Sequence, residues 1–340
     1  MNNLSMEQGG VQLMVGWDGA RISAATVDCR RPQAARLLAG RPVAEAVALA
    51  PRLFSLCGCA QGAAARLAAA AAEGRDEAGE AHTLMIRSIV LEAIGEHLWR
   101  LLLDWPALLG GPAEKSTFLE WRKRLLAVQA SGCLPEEVLA LAADLRAWLA
   151  GRLPGPFCGD RSHAPPVTLL PWCSAEDWAA VVIDDAFAQA PTLGGESAET
   201  GALARQSDVP EVTELLADDR RVAARIAARW ADLDFLADGL VEPGLLGGWL
   251  DSAPVGPGVG LARVETARGL LLHLMQVKDG RVERYVIVAP TEWNFHAQGA
   301  FAGEIVGAAA TTRDEAERLA RRLALALDPC VSYEVRVEDA

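Results

Sequence analysis

Thiols are the side chains of this sequence best suited to holding a soft metal, and there are seven: Cys29, Cys57, Cys59, Cys133, Cys158, Cys173 and Cys330. Their scattered spacing and odd number do not suit a disulfide framework in a chain of 340 residues. Reduced thiols open to a soft metal are the better reading. A lone cysteine in a folded protein is most often a buried, inert thiol, and Cys29, Cys133, Cys158 and Cys173 keep that reading. His97 and His273 lie on apolar stretches and read as satisfied core histidines rather than ligands. Glu199 and Arg205 are expected to hold a loop through an internal ion pair, the common fate of such residues. Trp293 and Asn294 read as packing and turn chemistry.

The elements that must carry these residues are mostly helical. Residues 11–28 form a predicted hairpin about the turn Asp18-Gly19. In residues 81–104 Leu84, Ile86, Ile89, Val90, Ala93, Ile94, Leu98, Leu101 and Leu102 recur at three- and four-residue steps, which predicts a helix with one buried face. Further helices are predicted at about 115–130, 135–151 and 210–238. The Pro-, Gly- and Ser-rich segment 152–208 reads as loop. A second hairpin joins residues 270–277 to 281–288 through Lys278-Asp279-Gly280, where Asp-Gly favours a type I′ turn. Thr312 and Glu315 make a capping box for a last helix, which Pro329 ends just before Cys330. The fold class expected is α+β, mainly α, with two short β-hairpins and one domain over residues 1–340.

Composition narrows the partners. With 51% hydrophobic residues the chain can bury a sizeable core, and a net charge of −13 repels phosphate backbones and anionic lipid heads. No nucleic acid and no membrane are expected as partners. The first ten residues lack a charged segment followed by an apolar stretch, so a cytoplasmic location is expected.

Five separated segments resemble, in the same order, motifs of the large subunit of nickel–iron hydrogenases. Arg52-Leu-Phe-Ser-Leu-Cys57-Gly-Cys59-Ala-Gln61 resembles R-x-C-G-x-C-x-x-x-H, and Glu199-Thr-Gly-Ala-Leu-Ala-Arg205 resembles E-x-G-P-L-A-R. Val264-Glu-Thr-Ala-Arg268-Gly-Leu-Leu-Leu-His273 resembles V-E-A-P-R-G-x-L-x-H. Pro290-Thr291-Glu-Trp293-Asn294 matches P-[ST]-x-W-N, and Asp328-Pro-Cys330 opens like D-P-C-x-x-C-x-x-H. The resemblance implies a large-subunit-like helical core. In that family four cysteines hold nickel and iron, but here Phe54 and Tyr333 stand at two of the four places. Cys57 is left at a bridging place and Cys330 at a nickel-terminal place. Gln61 and Arg336 replace the histidines that end both motifs, and the acidic R-I-E-G-H motif has no clear counterpart around Met6–Val11. A four-thiolate nickel site cannot form from these positions, so no hydrogen turnover and no nickel are expected. Only four residues follow Arg336, so the extension that a protease removes from large subunits is expected to be missing.

What remains resembles the HupK/HoxV accessory proteins, which implies a cytoplasmic maturation scaffold that transiently binds Fe(CN)2(CO) and delivers it to the hydrogenase large subunit, meeting HypC/HypD-type maturation proteins on the way. Low-spin iron with cyanide and carbonyl ligands is soft, and thiolates suit it. Cys57 is the expected anchor, Cys330 the second ligand, and Cys59 a replacement if the C-terminal loop sits too far away. Cyanide nitrogens need donors when buried. The resemblance assigns that task to Arg268 and to Thr291, which follows Pro290. A hairpin centred on Asp279-Gly280 and extended in regular register would set Arg268 opposite Thr291 across two strands. The alternative is a metal-free large-subunit mimic that acts as a docking chaperone for hydrogenase assembly.

Overall fold

The computed structural model describes residues 9–30, 34–75, 77–152, 159–162 and 166–340. Both predicted hairpins form, each as part of a larger sheet. β1 (Gly10–Trp17) pairs antiparallel with β2 (Ile22–Arg30). Val11, Leu13 and Val15 are buried, as the two-residue repeat of a half-buried strand requires. Asp18 Oδ1 accepts the amides of Ala20 and Arg21 to close the turn. β3 (Thr168–Leu169) and β4 (Ala198–Glu199) make a short parallel pair inside the segment read as loop. β5 (Leu250–Gly256), β6 (Val259–Thr266), β7 (Gly269–Lys278) and β8 (Arg281–Val288) form an antiparallel meander. The C-terminal β9 (Tyr333–Asp339) returns to lie parallel to β1, a long-range pairing with no local signal.

Between β7 and β8, Asp279 and Gly280 both have positive φ, 49° and 71°, the backbone a type I′ turn needs. The ladder does not keep one register beyond it. An irregularity between Gln276 and Val277 shifts the pairing so that Gln276 faces Arg284, and the last pair is Leu272 with Val288. Arg268 therefore lies in the β6–β7 turn and Thr291 on the short helix Pro290–Asn294. The expected cross-strand pair does not exist.

α1 (Val43–Leu53) leads through the 3-10 turn Ser55–Cys57 into α2 (Gly58–Ala72), and α3 (Glu80–Trp99) runs on into a π turn at Arg100–Asp104. α2 is almost all alanine on its buried positions and packs on β6 and β7. Its backbone approaches so closely that a Cβ on Gly260 would lie 2.2 Å from the Ala68 carbonyl. Only glycine fits opposite this helix. The helices Lys115–Ala130 and Arg221–Val241 pack beside α3, and Pro135–Ala150 packs against both of them, joined by Trp121, Trp148 and Trp230. The predicted 210–238 helix is two, Pro210–Ala217 and Arg221–Val241, because Asp219 adopts φ +56° and ends the first.

The last helix, Arg313–Leu327, is capped by the Thr312 hydroxyl on the Glu315 amide, while the Glu315 carboxylate turns to Thr311 instead of closing the predicted box. Asp328, in the left-handed conformation at φ +56°, stops it one residue before Pro329. Among the described residues no single helix is long and apolar enough to cross a membrane.

Candidate functional site

Cys57 sits where the chain turns by 93° between α1 and α2. The residue is partly buried, and its sulfur receives the Gln61 Nε2–H from one turn along α2 at 3.6 Å. Burial pushes the thiol up to about 12, with Cys330 and Glu92 adding to the rise. Cys330 is thus within electrostatic reach, although the two cysteines come from opposite ends of the chain.

Cys330 is presented by the turn that follows Asp328. Pro290 starts its helix at the first position, where a missing N–H costs nothing, and this sets Thr291 against Cys330. The Thr291 hydroxyl donates to the Cys330 sulfur at 3.0 Å and accepts the Cys330 amide at 3.1 Å. Arg268 reaches in from the β6–β7 turn. Its Nη2 donates to Glu96 at 2.6 Å and its Nε to Asp328 at 3.2 Å, leaving Nη1 without a hydrogen-bond partner among the described residues. Burial opposes its charge, but Asp328, Glu96 and Cys330 together hold it firmly protonated. The same guanidinium lowers the Cys57 thiol in part, so it lies within electrostatic reach of both cysteines.

Asp328 is the hub. Its Oδ1 also accepts Arg100 Nε at 2.7 Å, and its Oδ2 accepts Arg229 Nη2 at 3.2 Å. Burial would raise this carboxyl, but Arg268, Arg100 and Arg229 outweigh it and hold it well below the usual range. The aspartate of the D-P-C segment thereby fixes Arg268, and its left-handed backbone turns Pro329 and Cys330 toward Thr291.

The structure brings together Cys57, Cys330, Arg268, Thr291 and Pro290. Cys59 has other company: its sulfur accepts Gln129 Nε2 at 2.9 Å, and burial and Glu92 push its thiol up to about 12. Glu92 caps α2, accepting the amides of Cys59 at 2.7 Å and Ala60 at 3.1 Å, and burial raises its carboxyl to about 7 against those bonds. Among the described residues no group of three or more His, Cys, Asp or Glu side chains is arranged to hold a metal ion.

Other readings fare variously. His97 and His273 are both core histidines, but only His273 is fully satisfied, with both ring nitrogens bonded; His97 bonds Asp232 at 2.8 Å through Nε2 while its buried Nδ1 has no partner among the described residues. Glu199 and Arg205 are ion-paired, but not to each other: Glu199 binds Arg225, and Arg205 binds Asp232 and Glu265. Asn294 accepts the Thr200 amide and donates to the carbonyls of Arg268 and Leu327, tying three segments beside the site. Trp293 is buried edge-on to Trp178. Arg336 is exposed and pairs with Glu334. Cys158 and Met6–Gln8 lie outside the described residues.

Missed by sequence reasoning were Asp328 as hub, Glu92, Glu96, Arg100 and Arg229. A signal was present: Glu92, Glu96 and Arg100 recur every four residues, which stacks them on one face of the helix whose apolar repeat was read alone.

The profile of the nickel-dependent hydrogenase family matches residues 250–335. The fold is similar to that of the reduced, active nickel–iron–selenium hydrogenase from Desulfomicrobium baculatum, at TM-score 0.66 and 14% identity over 93% of this chain and 95% of that one. The hydrogenase expression/formation protein HoxV of Cupriavidus necator is 32% identical over 91% of this chain and 92% of its own. HupK of Bradyrhizobium diazoefficiens, also a hydrogenase expression/formation protein, is 30% identical over 97% of both chains. With such identity across nearly all of both chains and a hydrogenase large-subunit-like fold beneath it, this chain belongs to the HupK/HoxV family of hydrogenase expression/formation proteins.

Proposed function

We propose that this protein serves hydrogenase assembly as a non-catalytic scaffold in the cytoplasm, transiently holding the Fe(CN)2(CO) unit on Cys57 and Cys330 and passing it to the hydrogenase large subunit after meeting HypC/HypD-type proteins. One observation carries the reading: two partly buried cysteines from distant segments lie within electrostatic reach of one buried arginine whose Nη1 has no partner among the described residues. The donor set fits such cargo. A bare divalent ion needs three or four protein ligands, whereas iron that brings three diatomic ligands of its own needs few.

The residues then divide the work. Cys57, a thiol by its high pKa in the metal-free protein, gives up its proton on binding, so uptake releases protons and favours higher pH. Arg268 Nη1 is the open donor for cyanide nitrogen, and the Thr291 hydroxyl, whose one proton goes to the Cys330 sulfur in the iron-free protein, serves as a second only by turning from that sulfur to the cargo. Because both cysteines are only partly buried, cargo held there stays open to a receiving protein.

The metal-free docking module draws support from the pairing of Arg268 with Glu96 and Asp328, which already satisfies much of its charge. Iron analysis and infrared spectra of protein purified anaerobically from a host with the full assembly machinery separate the two. The scaffold predicts iron with cyanide and carbonyl stretching bands and essentially no nickel. Protein without iron, or with one chelation-resistant nickel per chain, sinks it.

A further inference from the structure

A buried chain of three polar side chains ends on the Cys57 sulfur. Tyr285 Oη lies 2.8 Å from His273 Nδ1, His273 Nε2 lies 2.9 Å from Gln61 Oε1, and Gln61 Nε2 lies 3.6 Å from Cys57 Sγ. His273 on β7 and Tyr285 on β8 are diagonal neighbours on the sheet face that α2 covers, since Tyr285 pairs with Met275. All three side chains are at most 4% exposed.

The direction of this chain is fixed by donor counting. Burial pushes His273 down to about 3, so the ring is neutral and carries one proton. Were that proton on Nδ1, it would point at Tyr285 Oη, and the tyrosine O–H would be left buried without an acceptor, since His273 is its one partner among the described residues. An orphaned buried donor is costly. With the proton on Nε2 each link has a donor and an acceptor: Tyr285 O–H to Nδ1, Nε2–H to Gln61 Oε1, and one Gln61 amide N–H to sulfur.

We propose that Tyr285 and His273 are positioning residues that lock the Gln61 amide with its N–H toward Cys57, so that the sulfur always meets a hydrogen-bond donor. This deepens the reading of Cys57 as anchor and rests on it for its purpose, but the geometry belongs to the iron-free protein. A thiol kept only for packing would need no donor aimed at its sulfur, and a sulfur that bears a metal accepts such a bond.

The test uses iron-free, 15N-labelled full-length protein. Ring nitrogen shifts of His273, assigned by loss of its signals in His273→Gln, should show the Nε2–H form in wild type and a mixture in Tyr285→Phe, which keeps the ring and removes only the donor. Alkylation of Cys57 by iodoacetamide at fixed pH, followed by peptide mass spectrometry, should slow about two- to five-fold in Tyr285→Phe and at least as much in Gln61→Leu. Should Gln61→Leu fail to fold, Tyr285→Phe decides alone. An Nδ1–H ring in wild type, or unchanged Cys57 alkylation in folded Tyr285→Phe, overturns the proposal. If the tautomer and rates come out as expected while Cys57→Ala still carries iron, the chain stands and the anchor reading falls.

Discussion

Two buried arginine clusters hang from one helix, Arg221–Val241, and they are built to opposite plans. Arg225 lies between Glu199 and Glu304, which accept four bonds at 2.6–2.8 Å from its three nitrogens. It is sealed at 2% exposure with four of its five N–H donors taken. One turn along, Arg229 joins Arg100 and Arg268 around the single carboxylate of Asp328. That second cluster borders two partly buried cysteines and leaves Arg268 Nη1 unused. The same residue types therefore do different jobs. Where carboxylates take four of five donors, the cluster holds segments together; where three guanidiniums gather on one carboxylate, Arg268 keeps donors in hand, which is the capacity the proposed cargo site needs.

Stability and cargo binding should respond to mutation in opposite orders if that contrast is right. Arg225→Leu takes the ion pair from buried Glu199 and leaves buried Glu304 only the longer contact to Arg221 at 3.7 Å, and should cost about 3–5 kcal/mol in urea melts. A loss below about 1 kcal/mol would deny the first cluster its structural role.

Arg268→Leu should cost less, about 1.5–3 kcal/mol, since Asp328 keeps Arg100 and Arg229. Its larger effect should fall on the cargo, with iron bound weakly. Arg268→Lys keeps the charge without the planar fork, so iron should partly remain while the cyanide bands shift. Arg205→Leu, tied to Asp232 and Glu265, should destabilise and leave the bands of surviving folded protein unmoved. Unchanged bands and iron in folded Arg268→Leu would erase the difference between the clusters.

Glu92 offers a pH test at the edge of the site. Its carboxyl is raised to about 7 by burial, so the folded chain holds this proton where the unfolded chain has released it. Stability from this group is greatest below about pH 4.5 and falls as pH rises toward 7, by about 1–3 kcal/mol. Glu92→Gln cannot ionise and should lack that fall, so the gap between the two proteins in paired melts at pH 5 and pH 8 should change in favour of the variant. A constant gap would place the Glu92 carboxylate in solvent.

Cys57→Ala should be the mildest for the fold, about 1–2 kcal/mol, and the most damaging to iron content and hydrogenase maturation. Cys133→Ala, also a buried thiol, should change neither iron nor maturation. Maturation by Cys57→Ala at the wild-type level would remove the anchor.

Local periodicity and turn chemistry were enough to read the two hairpins, the α3 stripe and the final capped helix, because each is specified by residues within one or two turns of one another. The ordered motif segments were enough to point to the family and to name Cys57, Cys330, Arg268, Thr291 and Pro290. Tertiary structure alone decided how they meet. The cross-strand route failed because one irregularity at Gln276/Val277 and an early end to the ladder sent Arg268 into a turn and Thr291 onto a helix. They converge on Cys330 through the left-handed turn at Asp328 and its three arginines, contacts between residues 60 to 228 positions apart. β9 beside β1, the Gly260 contact with α2 and the Tyr285–His273–Gln61 chain are of the same kind. A local window records which groups a segment offers, but which buried donor meets which acceptor depends on satisfying all of them at once in the packed interior.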